Sequence, residues 1–145
     1  MGWADILVHV DGSAAGRERA DYALRLAELM GAKLHGLHVE QTLDVRPLFK
    51  LRMINAVEKY QEHVAKLDAA QSGQAFHDIA RPSDGWTATK GDMVDAISQY
   101  AAYCDLVIVG QYETAGTPEK RPLTLAASLV LKCGRPVLLL PASHK

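Results

Sequence analysis

Near the start of the chain a short apolar run, Ile6-Leu7-Val8-His9-Val10, is closed by Asp11-Gly12-Ser13. A carboxylate beside a hydroxyl is the raw material of a nucleophilic site. No G-x-S-x-G elbow surrounds Ser13, and a serine placed just ahead of a helical pattern is expected as its N-cap, accepting from a free backbone N–H. Hydrolase chemistry is therefore not expected. Three histidines fall on the first two apolar runs: His9 on one, His35 and His38 on the other. Neighbouring strands can bring two imidazoles together as a metal site or an acid–base pair. No third ligand has fitting spacing, and the histidines are expected as hydrogen-bonded groups in or near the core. Neither H-E-x-x-H nor a paired-cysteine spacing occurs, so no metal centre is expected. Cys104 and Cys133 lie far apart and outside any C-x-x-C. They read as small buried hydrophobes in a reducing compartment.

Anion-binding motifs can be tested in the same way. A dinucleotide fingerprint needs G-x-G-x-x-G after the first strand, so that backbone can approach a pyrophosphate. The turn here is Gly12-Ser13-Ala14-Ala15-Gly16, which fails that spacing, and a Walker A loop is absent. A phosphoacceptor aspartate ending the third strand would fall where the chain has Thr89-Lys90.

The elements that must position these residues alternate. After the first strand, Ala20, Ala23, Leu24, Ala27 and Leu29 or Met30 line one side of a helix that Gly31 stops. Leu34 to Val39 is the second strand. From near Pro47, Leu48, Leu51, Ile54, Val57, Tyr60, Val64 and Leu67 recur every three or four positions, an amphipathic helix expected to end near Ser72-Gly73. Gln74 to Gly85 reads as connection, and Trp86 to Thr89 as a third strand at an edge. Gly91-Asp92 opens a third helix with Met93, Val94, Ile97 and Tyr100 as its apolar stripe. Asp105 to Gly110 carries the strongest strand pattern. A loop from Gln111 to Pro122 leads to a helix over Leu123 to Lys132, and Pro136 to Pro141 holds the last strand. Strands alternating with helices imply an α/β fold with a parallel sheet covered on both faces, and right-handed crossovers make it doubly wound. In such sheets ligands bind beyond the carboxyl ends of the strands, where strand order reverses.

The bulk properties agree. At 145 residues the chain is expected to be one domain spanning 1–145. A hydrophobic share of 48% with 23% charged residues is ordinary for a globular protein, and a net charge of -1 without charge runs points away from a nucleic-acid-binding face. No signal peptide is visible and the apolar runs are of strand length, so the expectation is a cytoplasmic protein that does not span a membrane.

Taken together, Ile6 to Ser13, Leu37-His38-Val39, Gly91-Asp92 with Ile97, Asp105 to Gly110 and Pro136 to Leu140 resemble, in the right order, the universal stress protein family. The resemblance implies a five-stranded sheet of order 3-2-1-4-5. It also implies that Asp11 and Val39 stand where nucleotide-binding members hold the adenine and ribose end. Those members carry G-x-x-G-x9-G-[ST] after the fourth strand. Its glycines let backbone N–H groups wrap the phosphates, and its last residue caps a helix. Counted from Gly110, the second glycine position holds Glu113 and the third Leu123; Thr124 agrees with the final Ser/Thr, and Ala126 replaces the next small polar residue. Glu113 directs negative charge toward a triphosphate, and Leu123 brings a bulky side chain where backbone must come close. Each lost charge-assisted hydrogen bond is worth about 1.5–3 kcal/mol.

The expected protein is thus a non-catalytic stress-response regulator with no cofactor and without ATP binding of the usual kind, acting on a regulatory protein partner. The alternative is an adenine-nucleotide module, taking ATP with Mg through Asp11, Val39, Gly110 and Thr124, with Lys120 and Arg121 or a loop re-registered at Gly116 supplying the missing contacts. With the last strand at a sheet edge, Val137 to Leu140 is apolar on both faces and is expected to pair with a second copy.

Overall fold

The computed structural model describes residues 4–40, 51–110 and 123–141, with side chains described for 4–40, 53–110 and 127–141. Five strands and four helices alternate: β1 (Asp5–His9), α1 (Ala14–Met30), β2 (Lys33–Glu40), α2 (Leu51–His77), β3 (Gly85–Lys90), α3 (Met93–Ala101), β4 (Leu106–Gly110), α4 (Leu123–Cys133) and β5 (Val137–Leu140). The strands form one sheet of order β3-β2-β1-β4-β5, and each neighbouring pair is parallel. Both the α/β class and the strand order match the expectation.

Strand alternation sorts the core into two layers. Ile6, Val8 and Val10 point with Leu34, Leu106 and Ile108 to the α1/α2 side, where they meet Ala20, Ala23, Ala27 and Phe76. Leu7, Leu37, Val39, Val107 and Val109 point to the α3/α4 side and meet Met93, Ala96, Ile97 and Leu129. The alanines of α1 let that helix lie close on β1.

Two expectations about α2 need correction. Ser72-Gly73 does not end it; the helix continues to His77. The Ser72 hydroxyl is buried and donates to the Asp68 carbonyl (2.7 Å), one turn back, so the serine is satisfied inside the helix. Gly73 lies under the Trp86 indole, where an added Cβ would stand 3.4 Å from Nε1. Trp86 in turn stacks on Phe76 with ring centroids 5.3 Å apart. Both rings cover Gly36 of β2 so closely that a Cβ there would fall 2.6–2.7 Å from them. The apparent stop signal is a packing signal.

The second correction concerns the helical stripe. Tyr60, Val64 and Leu67 are exposed, at 68%, 45% and 50%, whereas Ser72, Gly73, Ala75 and Phe76 are buried. A helix of 27 residues is roughly 40 Å long. The longest strand has eight residues and spans about 27 Å. Length alone keeps α2 from lying on the sheet throughout, and its C-terminal part is the seated one.

The connection after α2 is ordered by one carboxylate. Asp84 accepts from Leu34 N (3.0 Å), Arg81 N (2.9 Å) and the Arg81 guanidinium, which also donates to the Ala32 carbonyl (2.8 Å). Its side chain is fully buried. Burial pushes its pKa up, but the Arg81 side-chain bond, the two backbone N–H bonds and the Arg81 charge outweigh that, and the net shift is downward. A lowered folded-state pKa means that this group's stabilisation is full above the ordinary aspartate value and is lost as pH falls through the folded one. Asp84→Ala should cost about 1–3 kcal/mol, the usual range for stranding buried donors. It should also flatten the acid limb of a plot of urea midpoint against pH. An acid limb identical to that of the parent would contradict this role.

Candidate functional site

The reversal of strand order puts β1 beside β4, and the ends of these strands with that of β2 form the candidate corner. The β1–α1 turn is built from its own side chains. Ser13 is the N-cap of α1, its hydroxyl accepting from Gly16 N at 3.0 Å. The Asp11 carboxylate accepts from Ser13 N at 2.9 Å and from the Ser13 hydroxyl. Both the donor and the acceptor function of that hydroxyl are engaged, which suits a cap and not a nucleophile. Gly16 is required by contact: an added Cβ would lie 2.6 Å from the Asp11 carbonyl oxygen and closer still to its carboxylate.

Beneath the turn lies Arg19 of α1, only 4% exposed. It donates to the His9 carbonyl at 2.8 Å, and its other terminal nitrogen stands 3.9 Å from Asp11 Oδ2. Burial raises the Asp11 pKa, and the two Ser13 hydrogen bonds with the charges of Arg19 and His9 bring it to a net lowering. Asp11 is accordingly held as an anion whose charge is largely answered within the protein.

The second wall comes from α2. Asp68 Oδ1 accepts from Gly12 N at 2.8 Å, and its Oδ2 is 3.7 Å from His38 Nε2. His38 is buried on the α1/α2 side, with Nδ1 3.2 Å from the Val10 carbonyl. His9 alternates to the other face of β1, beside Leu7. His35 sits at the opposite end of the sheet, 2.9 Å from Asp5. The three histidines thus occupy three separate environments. Among the described residues no group of His, Cys, Asp and Glu is arranged to hold a metal ion.

Val39 is buried near the end of β2 on the α3/α4 side. Gly110 ends β4, opposite Leu140 of β5. Asp11, Val39 and Gly110 therefore stand at the carboxyl ends of three adjacent strands. Thr124 lies within the first turn of α4, behind Leu123, the first helical residue. Glu113, Gly116, Lys120 and Arg121 fall outside the described residues, as does the side chain of Ala126. At the end of β3, Lys90 pairs with Glu40 at 3.8 Å. Gly91 turns at φ +139°, and Asp92 caps α3 by accepting from Asp95 N. Cys104 is buried, and desolvation with the charges of Asp5 and Asp105 pushes its thiol up to about 11, which leaves it unreactive. Cys133, expected to be buried, is only half-buried.

Arg19 and Asp68 are the residues that sequence reasoning missed. Arg19 sits next to Ala20 on the seated side of α1, a position where a charge signals a built partner. Asp68 lies in a regular helical pattern, and nothing local marks it.

Across residues 3–141 the chain matches the model of the universal stress protein family. No curated sequence matches it at a significant level. Among solved structures, the universal stress protein UspA from Lactobacillus plantarum is similar, with a TM-score of 0.71 at 18% identity, covering 97% of this chain and 99% of that one. A universal stress protein in complex with cAMP superposes with a TM-score of 0.60 at 19% identity, over 99% of this chain and 100% of the other. The universal stress protein from Archaeoglobus fulgidus in complex with dAMP gives 0.57 at 18% identity, over 96% and 98%. The strand order, the placement of the candidate residues and the family match over nearly the whole length lead to one assignment: this chain belongs to the universal stress protein family.

Proposed function

We propose that the protein is a non-catalytic, cytoplasmic regulator of the universal stress type that does not bind ATP in the usual way and acts through its protein surface. The observation that carries this reading is at the start of α4. A leucine, already in helical backbone, stands where the last glycine of the family's phosphate loop belongs. Glycine at that position lets backbone N–H groups close on a phosphate, which a residue with a Cβ makes harder. The β1–α1 corner supports the same reading, since Asp11, Ser13, Arg19, Gly12 and Asp68 already satisfy one another. The Ser13 hydroxyl is engaged as donor and acceptor and the Cys104 thiol is buried and protonated, so neither is presented as a nucleophile.

A second reading is favoured by the relatives solved with cAMP and dAMP. Each of those ligands carries a single phosphate. A mononucleotide would still find Asp11, Val39 and Gly110 at the strand ends and would ask less of the missing glycines. Calorimetric titration separates the two. Mg-ATP should give no saturable heat below millimolar concentration. Micromolar Mg-ATP binding would overturn the first reading, and saturable binding of AMP or cAMP alone would select the second.

The proposal includes a homodimer through β5. Among the described residues β5 pairs only with β4, which leaves its other edge open. On α4, which packs beside β5, Val130 and Leu131 are 59% and 88% exposed. An open apolar edge next to exposed aliphatic side chains favours pairing with an identical chain. Sedimentation at micromolar concentration should give a dimer. Leu131→Arg, which removes no buried contact, should shift it toward monomer with an unchanged circular dichroism spectrum. A monomeric parent chain would refute this interface.

A further inference from the structure

The contact of His38 with α2 has a feature that neither the fold nor the nucleotide reading uses. A carbonyl oxygen can only accept, so at 3.2 Å from the Val10 carbonyl the His38 Nδ1 must carry a proton and donate. That fixes the tautomer. In the neutral ring Nε2 then bears a bare lone pair. This nitrogen is buried, has no hydrogen-bond partner, and faces Asp68 Oδ2 across 3.7 Å. Two acceptors thus confront each other, and the cost falls on the buried imidazole nitrogen, since the Asp68 side chain is half-exposed. A proton on Nε2 converts the pair into a charge-assisted donor and acceptor.

The other oxygen of the same carboxylate holds Gly12 N at 2.8 Å. Asp68 therefore bridges two elements, the imidazole on β2 and the turn that presents Asp11. Gly12 is close-fitted to this carboxylate: an added Cβ would lie 2.5 Å from Asp68 Oδ1. The remaining charged groups of the corner are otherwise engaged. Arg19 on α1 faces Asp11 on the β1 turn, and Glu40 on β2 faces Lys90 on β3. Among the described residues, Asp68, half-exposed on α2, is the carboxylate paired with Nε2.

We propose that His38, Asp68 and Gly12 form a protonation-controlled latch that sets how firmly α2 grips the β1–α1 turn. With His38 neutral, Asp68 holds the turn through the Gly12 N–H bond. With Nε2 protonated, both carboxylate oxygens are engaged, the carboxylate is oriented from two sides, and the turn is fixed. Protonation of Nε2 is the switching step, so acidification tightens the latch. It concerns the geometry of the turn and stands whether or not a nucleotide binds there.

The test follows the imidazole nitrogens and the Gly12 amide of the full chain by long-range proton–nitrogen NMR, from roughly pH 8 to pH 5. At the upper end His38 should carry its proton on Nδ1, the less common neutral form. As pH falls, Nε2 should gain a proton, and the Gly12 amide should shift over the same range and exchange more slowly with solvent than its intrinsic rate predicts. In Asp68→Asn the Gly12 amide should no longer follow His38. The latch is overturned by an Nε2-protonated neutral ring, by a His38 that keeps one charge state throughout, by a Gly12 amide indifferent to His38, or by an unchanged response in Asp68→Asn. Should that variant not fold, the tautomer and the shared titration in the parent chain decide alone.

Discussion

A guanidinium withdrawn from water must be paired, because an uncompensated buried charge is among the costliest features a fold can contain. Arg19 sets that constraint here. It is seated under the end of β1, with the His9 carbonyl on one nitrogen and Asp11 on the other. The pairing ties the end of β1 to α1 and sets a cation beside the Asp11 carboxylate. Asp11 then accepts from Ser13, Ser13 caps α1, and Gly16 becomes obligatory because the Asp11 backbone occupies the space of a side chain. From one buried charge follow the turn, the helix start and the disposition of the residue that the family resemblance places at a nucleotide.

The same chain of contacts shapes the functional reading. A ligand corner ordinarily keeps donors and acceptors ready for its ligand. In this one Asp11 is answered by Ser13 and Arg19, and the Gly12 N–H is answered by Asp68. The corner is internally satisfied. Beyond β4, where the family resemblance places a phosphate-loop glycine, α4 begins with Leu123. The two features lie on different elements and argue in the same direction.

Much of this architecture was legible in the sequence, for identifiable reasons. β1 and β4 are buried on both faces and read as short apolar runs, and the helix-start residues Ser13 and Asp92 use local hydrogen bonds that residue types announce. Strand order came from the family resemblance and agrees with the sheet. The end of α2 was misread because Ser72-Gly73 looks like a stop. Its actual role, accommodating Trp86 from β3, depends on a contact between elements that no local pattern encodes. The exposure of Tyr60, Val64 and Leu67 escaped for a similar reason, since periodicity shows that a helix has an apolar side but not what covers it. Of the site, Asp11, Val39 and Gly110 were found at strand ends, whereas Arg19 and Asp68 reach the corner only through tertiary packing.

The proposed loss of ATP binding turns on Glu113 and Leu123, which stand where the family resemblance places the second and third glycines. Its most direct test is restoration. Parent chain and the double variant Glu113→Gly with Leu123→Gly would be titrated side by side with Mg-ATP. The variant should bind at least tenfold more tightly, since one recovered charge-assisted hydrogen bond is worth about 1.5–3 kcal/mol. Mg-ATP binding by the parent chain as tight as that of a folded variant would contradict the account.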